Sequence, residues 1–204
     1  MATYLVVSEG EHEQGGALEN LLRRLGGKEA QFVFDCVRRD DIHAHHGKGP
    51  GYIKRVLRWL KEAKRREMDA LILLVDQDKP EYRRSDQVRE AQAYCNPKIP
   101  AFNLPRAMGV AIKMFDAWML ADEQALTDVL GYAVTRQRDP ETIDKPKKVC
   151  QRLLELAASQ MAQREMYAEV ALQLDVDILT ARCPKGFKPF AEHVRRMFGQ
   201  EEYS

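Results

Sequence analysis

The chain has 204 residues, 45% of them apolar, and its 32 basic against 31 acidic side chains leave a formal net charge of +1. That length buries a sizeable core in one domain with an elaboration, and the balanced charge excludes polyanion binding through bulk charge, so any nucleic-acid footprint must be local. Cys36, Cys95, Cys150 and Cys183 are scattered without a CxxC pair, and no apolar run approaches membrane-spanning length; this excludes a zinc ribbon, a disulfide framework and a membrane span, and points to a cytoplasmic protein with reduced thiols.

Tyr4-Leu5-Val6-Val7 is an apolar run that stops at Ser8-Glu9-Gly10-Glu11-His12-Glu13. Short runs rich in Leu, Ile and Val predict buried strands of a parallel sheet. Ala17, Leu18, Leu21, Leu22 and Leu25 follow at helical spacing, and Gly26-Gly27 ends that helix. Gln31 to Val37 alternates as a second strand. A glycine-rich polar stretch from Arg38 to Gly51 contains His43, His45 and His46 and reads as a loop suited to covering bound phosphates; no fourth ligand is spaced for zinc.

Ile53, Val56, Leu57 and Leu60 mark an amphipathic helix. The run Ala70 to Val75 is the next strand and stops at Asp76-Gln77-Asp78. Pro80 is placed to open a helix towards Tyr94, and Asn96-Pro97 breaks it. Ile99 to Leu104 reads as a short strand, and Gly109 to Phe115 as another that leads into helical Asp116-Ala117-Trp118-Met119-Leu120-Ala121-Asp122. Beyond it only helical stripes are visible: Val149, Leu153, Leu156 and Ala157, then Phe187, Phe190, Val194 and Met197. The expected architecture is therefore α/β, a mostly parallel Rossmann-like sheet with helices on both faces over residues 1–138. A helical C-terminal extension over 139–204 packs on it or continues it.

In open parallel sheets the site lies beyond the carboxyl ends of the strands. Glu9, Glu13, Asp76 and Asp78 all fall there, and carboxylates pooled from two strands suit a hard divalent cation, magnesium or manganese. Asp76 and Asp78 are two apart in an extended segment and share a side. Gly10 permits a tight bend between Glu9 and Glu13 and close approach of a phosphate. Lys54, Arg58, Lys61 and Arg65 recur along one helix face and, with Arg38, Arg39, Lys48, Arg55 and Arg66, form either a phosphate-gripping surface or a solvated face. Lys145, Lys147 and Lys148 admit the same two readings. Asp116 is either a helix cap or a ligand, Asp122 a surface or structural carboxylate, and Trp118 and Phe187 sit on apolar stripes as core residues.

Glu9-Gly-Glu-His-Glu13 and Asp76-Gln-Asp78 resemble the EGxxE and DxD motifs of the TOPRIM catalytic domain of topoisomerases, primases and overcoming-lysogenization-defect nucleases. The chain also resembles a family of small bacterial TOPRIM-like proteins, domain of unknown function 4276. That likeness rests on Asp116-Ala-Trp-Met-Leu-Ala-Asp122, Asp144-Lys-Pro-Lys-Lys148 and Gly186-Phe-Lys-Pro-Phe190. The resemblance implies a TOPRIM-like fold, with Glu9 as ligand or general acid/base and Glu13, Asp76 and Asp78 as metal ligands. Asp116 stands where that family usually has glutamate, and its shorter reach bears on direct coordination.

It further implies a magnesium- or manganese-dependent phosphodiester hydrolase, a nuclease acting on DNA or RNA within a bacterial defence or mobile-element system, with Glu9, Asp76 and Asp78 catalytic. Lys48, Lys54, Arg58 and Lys61 are the expected nucleic-acid contacts. The alternatives are a non-catalytic or regulatory TOPRIM-like subunit acting with a partner ATPase encoded nearby, and a nucleic-acid-binding module. The chain has no GxxxxGK[ST] P-loop of its own.

Overall fold

The computed structural model describes residues 1–10, 12–36, 50–77, 79, 83–94, 103–157 and 160–199. Four strands, β1 (Thr3–Ser8), β2 (Gln31–Cys36), β3 (Ala70–Gln77) and β4 (Arg106–Ile112), form one sheet in the order β2-β1-β3-β4. Every neighbouring pair is parallel. This is a doubly wound α/β fold whose order reverses between β1 and β3, the switch point where such sheets carry their ligands.

Both faces of the sheet are covered, so the strands read as continuous apolar runs; along β3 only the last residue, Gln77, is not buried. Leu5, Val7, Leu71, Leu73 and Val75 face one helical layer, α2 (Pro50–Arg65) and α3 (Arg84–Tyr94), through Val56, Trp59, Leu60, Val88 and Ala91. Val6, Ile72, Leu74, Ala107 and Ala111 face the other. That second layer combines α1 (Leu18–Arg24) with α4 (Phe115–Met119), α5 (Glu123–Leu130), α6 (Pro146–Leu156), α7 (Gln163–Gln173), α8 (Val176–Arg182) and α9 (Phe187–Met197). The C-terminal third thus roofs one face of the sheet, and a single apolar cluster runs from Val6 to Val194.

The roof is pinned at β4. Trp118 stacks on Phe190 at 5.7 Å and meets Phe187 edge-on at 5.1 Å. Phe190 lies so close to Gly109 of β4 that a Cβ there would come within 2.5 Å of its ring. Glu141, buried in a short 3-10 turn, accepts the backbone N–H groups of Lys185 (3.0 Å) and Gly186 (2.5 Å) ahead of α9. Trp118 and Phe187 are fully buried.

Some elements differ from the sequence reading. The strand expected from Gly109 to Phe115 is β4, three residues earlier, because Phe115 already belongs to α4. Asn103 and Leu104 are outside any strand, and residues 99–102 of that expected strand lie outside the described residues. α3 opens at Arg84; Pro80 lies outside the described residues. α6 buries Pro146, Cys150 and Leu153, whereas Leu156 is 63% exposed, so its buried face is rotated from the expected stripe. α7 and α8 fall within the expected helical extension, although no separate stripe marked them in the sequence. No helix of the described residues is long and apolar enough to cross a membrane. Cys36, Cys150 and Cys183 are free thiols; Cys95 lies outside the described residues.

Phe190→Ala should cost about 3–5 kcal/mol in urea denaturation, as truncation of a fully buried aromatic does. Gly109→Ala should cost about 1–3 kcal/mol by overpacking. In a double-mutant cycle the two must be non-additive, Gly109→Ala being cheaper once the ring is gone.

Candidate metal centre

The register of β1 against β3 (Val6↔Ile72, Val7↔Leu73) puts Glu9, just past β1, at the same sheet edge as Asp76 near the end of β3. Ser8 and Asp76 continue the alternation that points Val6 and Leu74 towards the α1 and C-terminal layer. Asp76 is 9% exposed, and its Oδ1 accepts the Phe115 N–H at 2.9 Å at the start of α4. That bond ties the end of β3 to the residue before Asp116.

Glu13 begins a π-type turn, Glu13–Ala17, that joins β1 to α1 and is kinked at Gly15 and Gly16, where Gly16 has φ +106°. α7 packs against this turn, with Arg164 Cβ and Ala168 Cβ 3.2 and 3.5 Å from where those glycines would carry Cβ atoms. Ahead of the kink, the Glu13 carboxylate folds back over Gly10. A Cβ on Gly10 would sit 2.4 Å from Glu13 Oε2. Gly10 has no left-handed φ, so what it contributes is room for that carboxylate rather than an unusual bend.

Glu13 is 4% exposed, and Oε2 has no hydrogen-bond partner among the described residues. Its carboxyl is raised from 4.5 to about 7, chiefly by burial and also by the charges of Asp116 and Glu9, against the lowering effect of nearby backbone N–H groups. Asp116 and Glu9 are therefore its electrostatic neighbours. Asp116, 4% exposed, is not the cap of α4; the N-cap position is Met114. Its Oδ1 instead accepts the hydroxyl of Tyr167 and, at 3.3 Å, the side-chain amide of Gln163, both from α7. The Cys150 thiol of α6 lies 3.7 Å from the Asp116 carbonyl and is pushed up to about 12 by burial, so it stays protonated. Ser8 is fully buried, and its Oγ has no hydrogen-bond partner among the described residues.

The structure thus places Glu13 within electrostatic reach of Glu9 and Asp116, with Asp76 at the same sheet edge. Asp78, Lys48 and the His43/His45/His46 cluster lie outside the described residues. Lys54, Arg58 and Lys61 are exposed on α2, across the sheet from α4 and α7. Arg55 of the same helix is 5% exposed, and Arg66 is held by Asp35 at 2.8 Å and Glu62 at 2.7 Å, so these two serve the fold rather than a phosphate-facing surface. Asp122 is structural: it caps α5 through the N–H groups of Gln124 and Ala125 and accepts Asp175 N–H at 2.7 Å.

The sequence reading missed Tyr167 and Gln163. Their signal was the stripe Met166, Tyr167, Val170, Ala171 and Leu174, blurred by Leu172, which is 53% exposed.

A family model described as a domain of unknown function, DUF4276, matches residues 9–195. The chain belongs to the DUF4276 family. The match runs from Glu9 at the switch point to Arg195 in α9, so in this DUF4276 chain the acidic edge and the helical roof fall within one family unit. Comparison with curated proteins finds no match, and comparison with solved structures finds none either.

The donor set is all oxygen, which suits magnesium or manganese better than zinc, and an unpartnered buried carboxylate oxygen is what a cation would satisfy. Among the described residues no three His, Cys, Asp or Glu side chains stand close enough to hold a metal ion.

Because Glu13 binds its proton more tightly in the folded chain, its contribution to stability declines as pH rises from 4.5 to about 7. In chelator, Glu13→Gln removes that loss. The stability of the variant relative to the parent should rise by about 3 kcal/mol between about pH 4.5 and pH 8, read by denaturant titration at each pH. A difference that does not change with pH contradicts the buried, raised carboxyl.

Proposed function

We propose that this chain is a magnesium- or manganese-dependent phosphodiester hydrolase, a nuclease with a TOPRIM-like site. The observation that supports it is the convergence of Glu9, Glu13, Asp76 and Asp116 where the sheet order reverses. In this reading Glu9, Glu13, Asp76 and Asp78 hold the metal. Asp116, already engaged by Tyr167 and Gln163, supports the site from its buried side.

When bound, such a metal supplies charge neutralisation at the phosphoryl group and a water nucleophile near neutral pH. The chain's own residues supply the rest. Glu13, titrating at about 7, holds a proton that a cation displaces at neutral pH. Glu9, half-buried at the end of β1, stands where a substrate would enter and can take a proton from an attacking water. Phe115 N–H fixes Asp76, so its carboxylate is oriented before any ligand arrives.

A second reading, a non-catalytic TOPRIM-like subunit acting with a partner ATPase, is favoured by the lack of a close ligand trio among the described residues. Two measurements separate the readings. With manganese or magnesium, the chain should cleave DNA or RNA oligonucleotides, and Glu9→Gln or Asp76→Asn should lower the rate by about 100-fold or more with the fold intact. Independently of turnover, magnesium at about 100 times its Kd should stabilise the parent by about 2.7 kcal/mol at neutral pH, and Asp76→Asn should lose most of that gain. Equal cleavage in chelator, or full activity in either variant, removes the hydrolase reading.

A further inference from the structure

A cavity of about 600 Å³ runs along α6 and the segment that follows α5. Its cationic side is Lys145, Lys148 and Arg152, each about one helical turn from the next and all exposed; its apolar side includes Tyr132, Leu153 and Leu156. None of the described residues that line it is acidic. The Tyr132 hydroxyl donates to the Leu153 carbonyl at 2.8 Å, which fixes the ring against the helix. Leu156 is 63% exposed and lies on the same face of α6 as the three cations.

We propose that this cavity holds a single-stranded nucleic-acid segment, with Lys145, Lys148 and Arg152 on its phosphates and Tyr132 and Leu156 against its bases. A row of cations beside an aromatic and aliphatic bed is the arrangement that takes unstacked nucleotides, whereas a duplex keeps its bases inside and presents no such face. Charge complementarity alone would also admit an acidic peptide. Position favours nucleic acid. α6, which lines the cavity, also carries Cys150, whose thiol lies 3.7 Å from the backbone carbonyl of Asp116. The start of α6 is drawn to the carboxyl edge of β4 by the Lys113–Asp144 pair at 3.6 Å. The basic face of α2, by contrast, is across the sheet. The cavity and the carboxylates therefore belong to the same helical layer over the sheet. The inference deepens the hydrolase reading and rests on it for its biological sense, but its test does not need catalysis.

The test is fluorescence anisotropy of a labelled single-stranded oligonucleotide, in chelator, over a range of salt concentrations. Lys145→Gln/Lys148→Gln/Arg152→Gln should weaken binding at least tenfold and flatten the slope of log K against log salt by about 2, since each phosphate contact on a single strand contributes about 0.7. Leu156→Ser, an exposed change that leaves the charges in place, should weaken binding without altering the slope. Lys54→Gln/Arg58→Gln/Lys61→Gln should have the smaller effect.

Parent-like affinity and slope in the α6 triple variant overturn the proposal. So does a variant that keeps its oligonucleotide affinity but loses binding of an acidic peptide, which would assign the cavity to a protein partner. The two readings fail separately. Strand binding that needs the α6 cations, with no metal-dependent cleavage, removes the hydrolase and leaves the cavity. Cleavage lost in Asp76→Asn but undiminished in the α6 triple variant does the reverse.

Discussion

Parallel pairing of β1 with β3 is the constraint on which everything else depends. The two strands are separated in sequence by β2 and two helices, yet they hydrogen-bond side by side, with Val7 opposite Leu73. Because side chains alternate strictly along a strand, that one register also decides that Ser8 and Asp76 look towards the same helical layer. A slip of one residue would turn Asp76 to the α2 side, against the apolar side chains of Val56, Trp59 and Leu60.

The acidic centre is an electrostatically expensive arrangement. Glu13 is buried, short of a hydrogen-bond partner at one oxygen, and raised by its carboxylate neighbours. Charges of one sign gathered out of water oppose folding unless a proton or a cation intervenes. Local strain and unsatisfied polar atoms of this kind concentrate at functional sites, and the surrounding structure must over-determine them. Here it does. α7 packs on the π-type turn, Tyr167 and Gln163 bind Asp116, and Phe115 N–H binds Asp76.

The C-terminal helices are therefore part of the site as much as of the fold. Trp118, two residues after Asp116, is locked between Phe187 and Phe190 of α9, and Phe190 fills the space above Gly109. Through that contact the sheet, the acidic helix α4 and the last helix share one apolar core. Motifs that look like separate signatures in the chain, DAWMLAD and GFKPF, are two sides of one packing interface.

The amino-acid sequence by itself determined the strands β1 to β3, the helices α1, α2 and α9, and the placing of acidic residues at the ends of β1 and β3. Those features are local: apolar runs buried on both faces, helical stripes, and glycines that end a helix carry their own pattern. Only the tertiary structure decided which residues meet. That Tyr167 reaches Asp116 across 51 positions, that Gly10 makes room for Glu13, and that α6 turns Cys150 inward and Leu156 outward depend on how helices dock. Docking is set by shape and by the relative rotation of whole elements, and a chain read one segment at a time holds no record of that rotation.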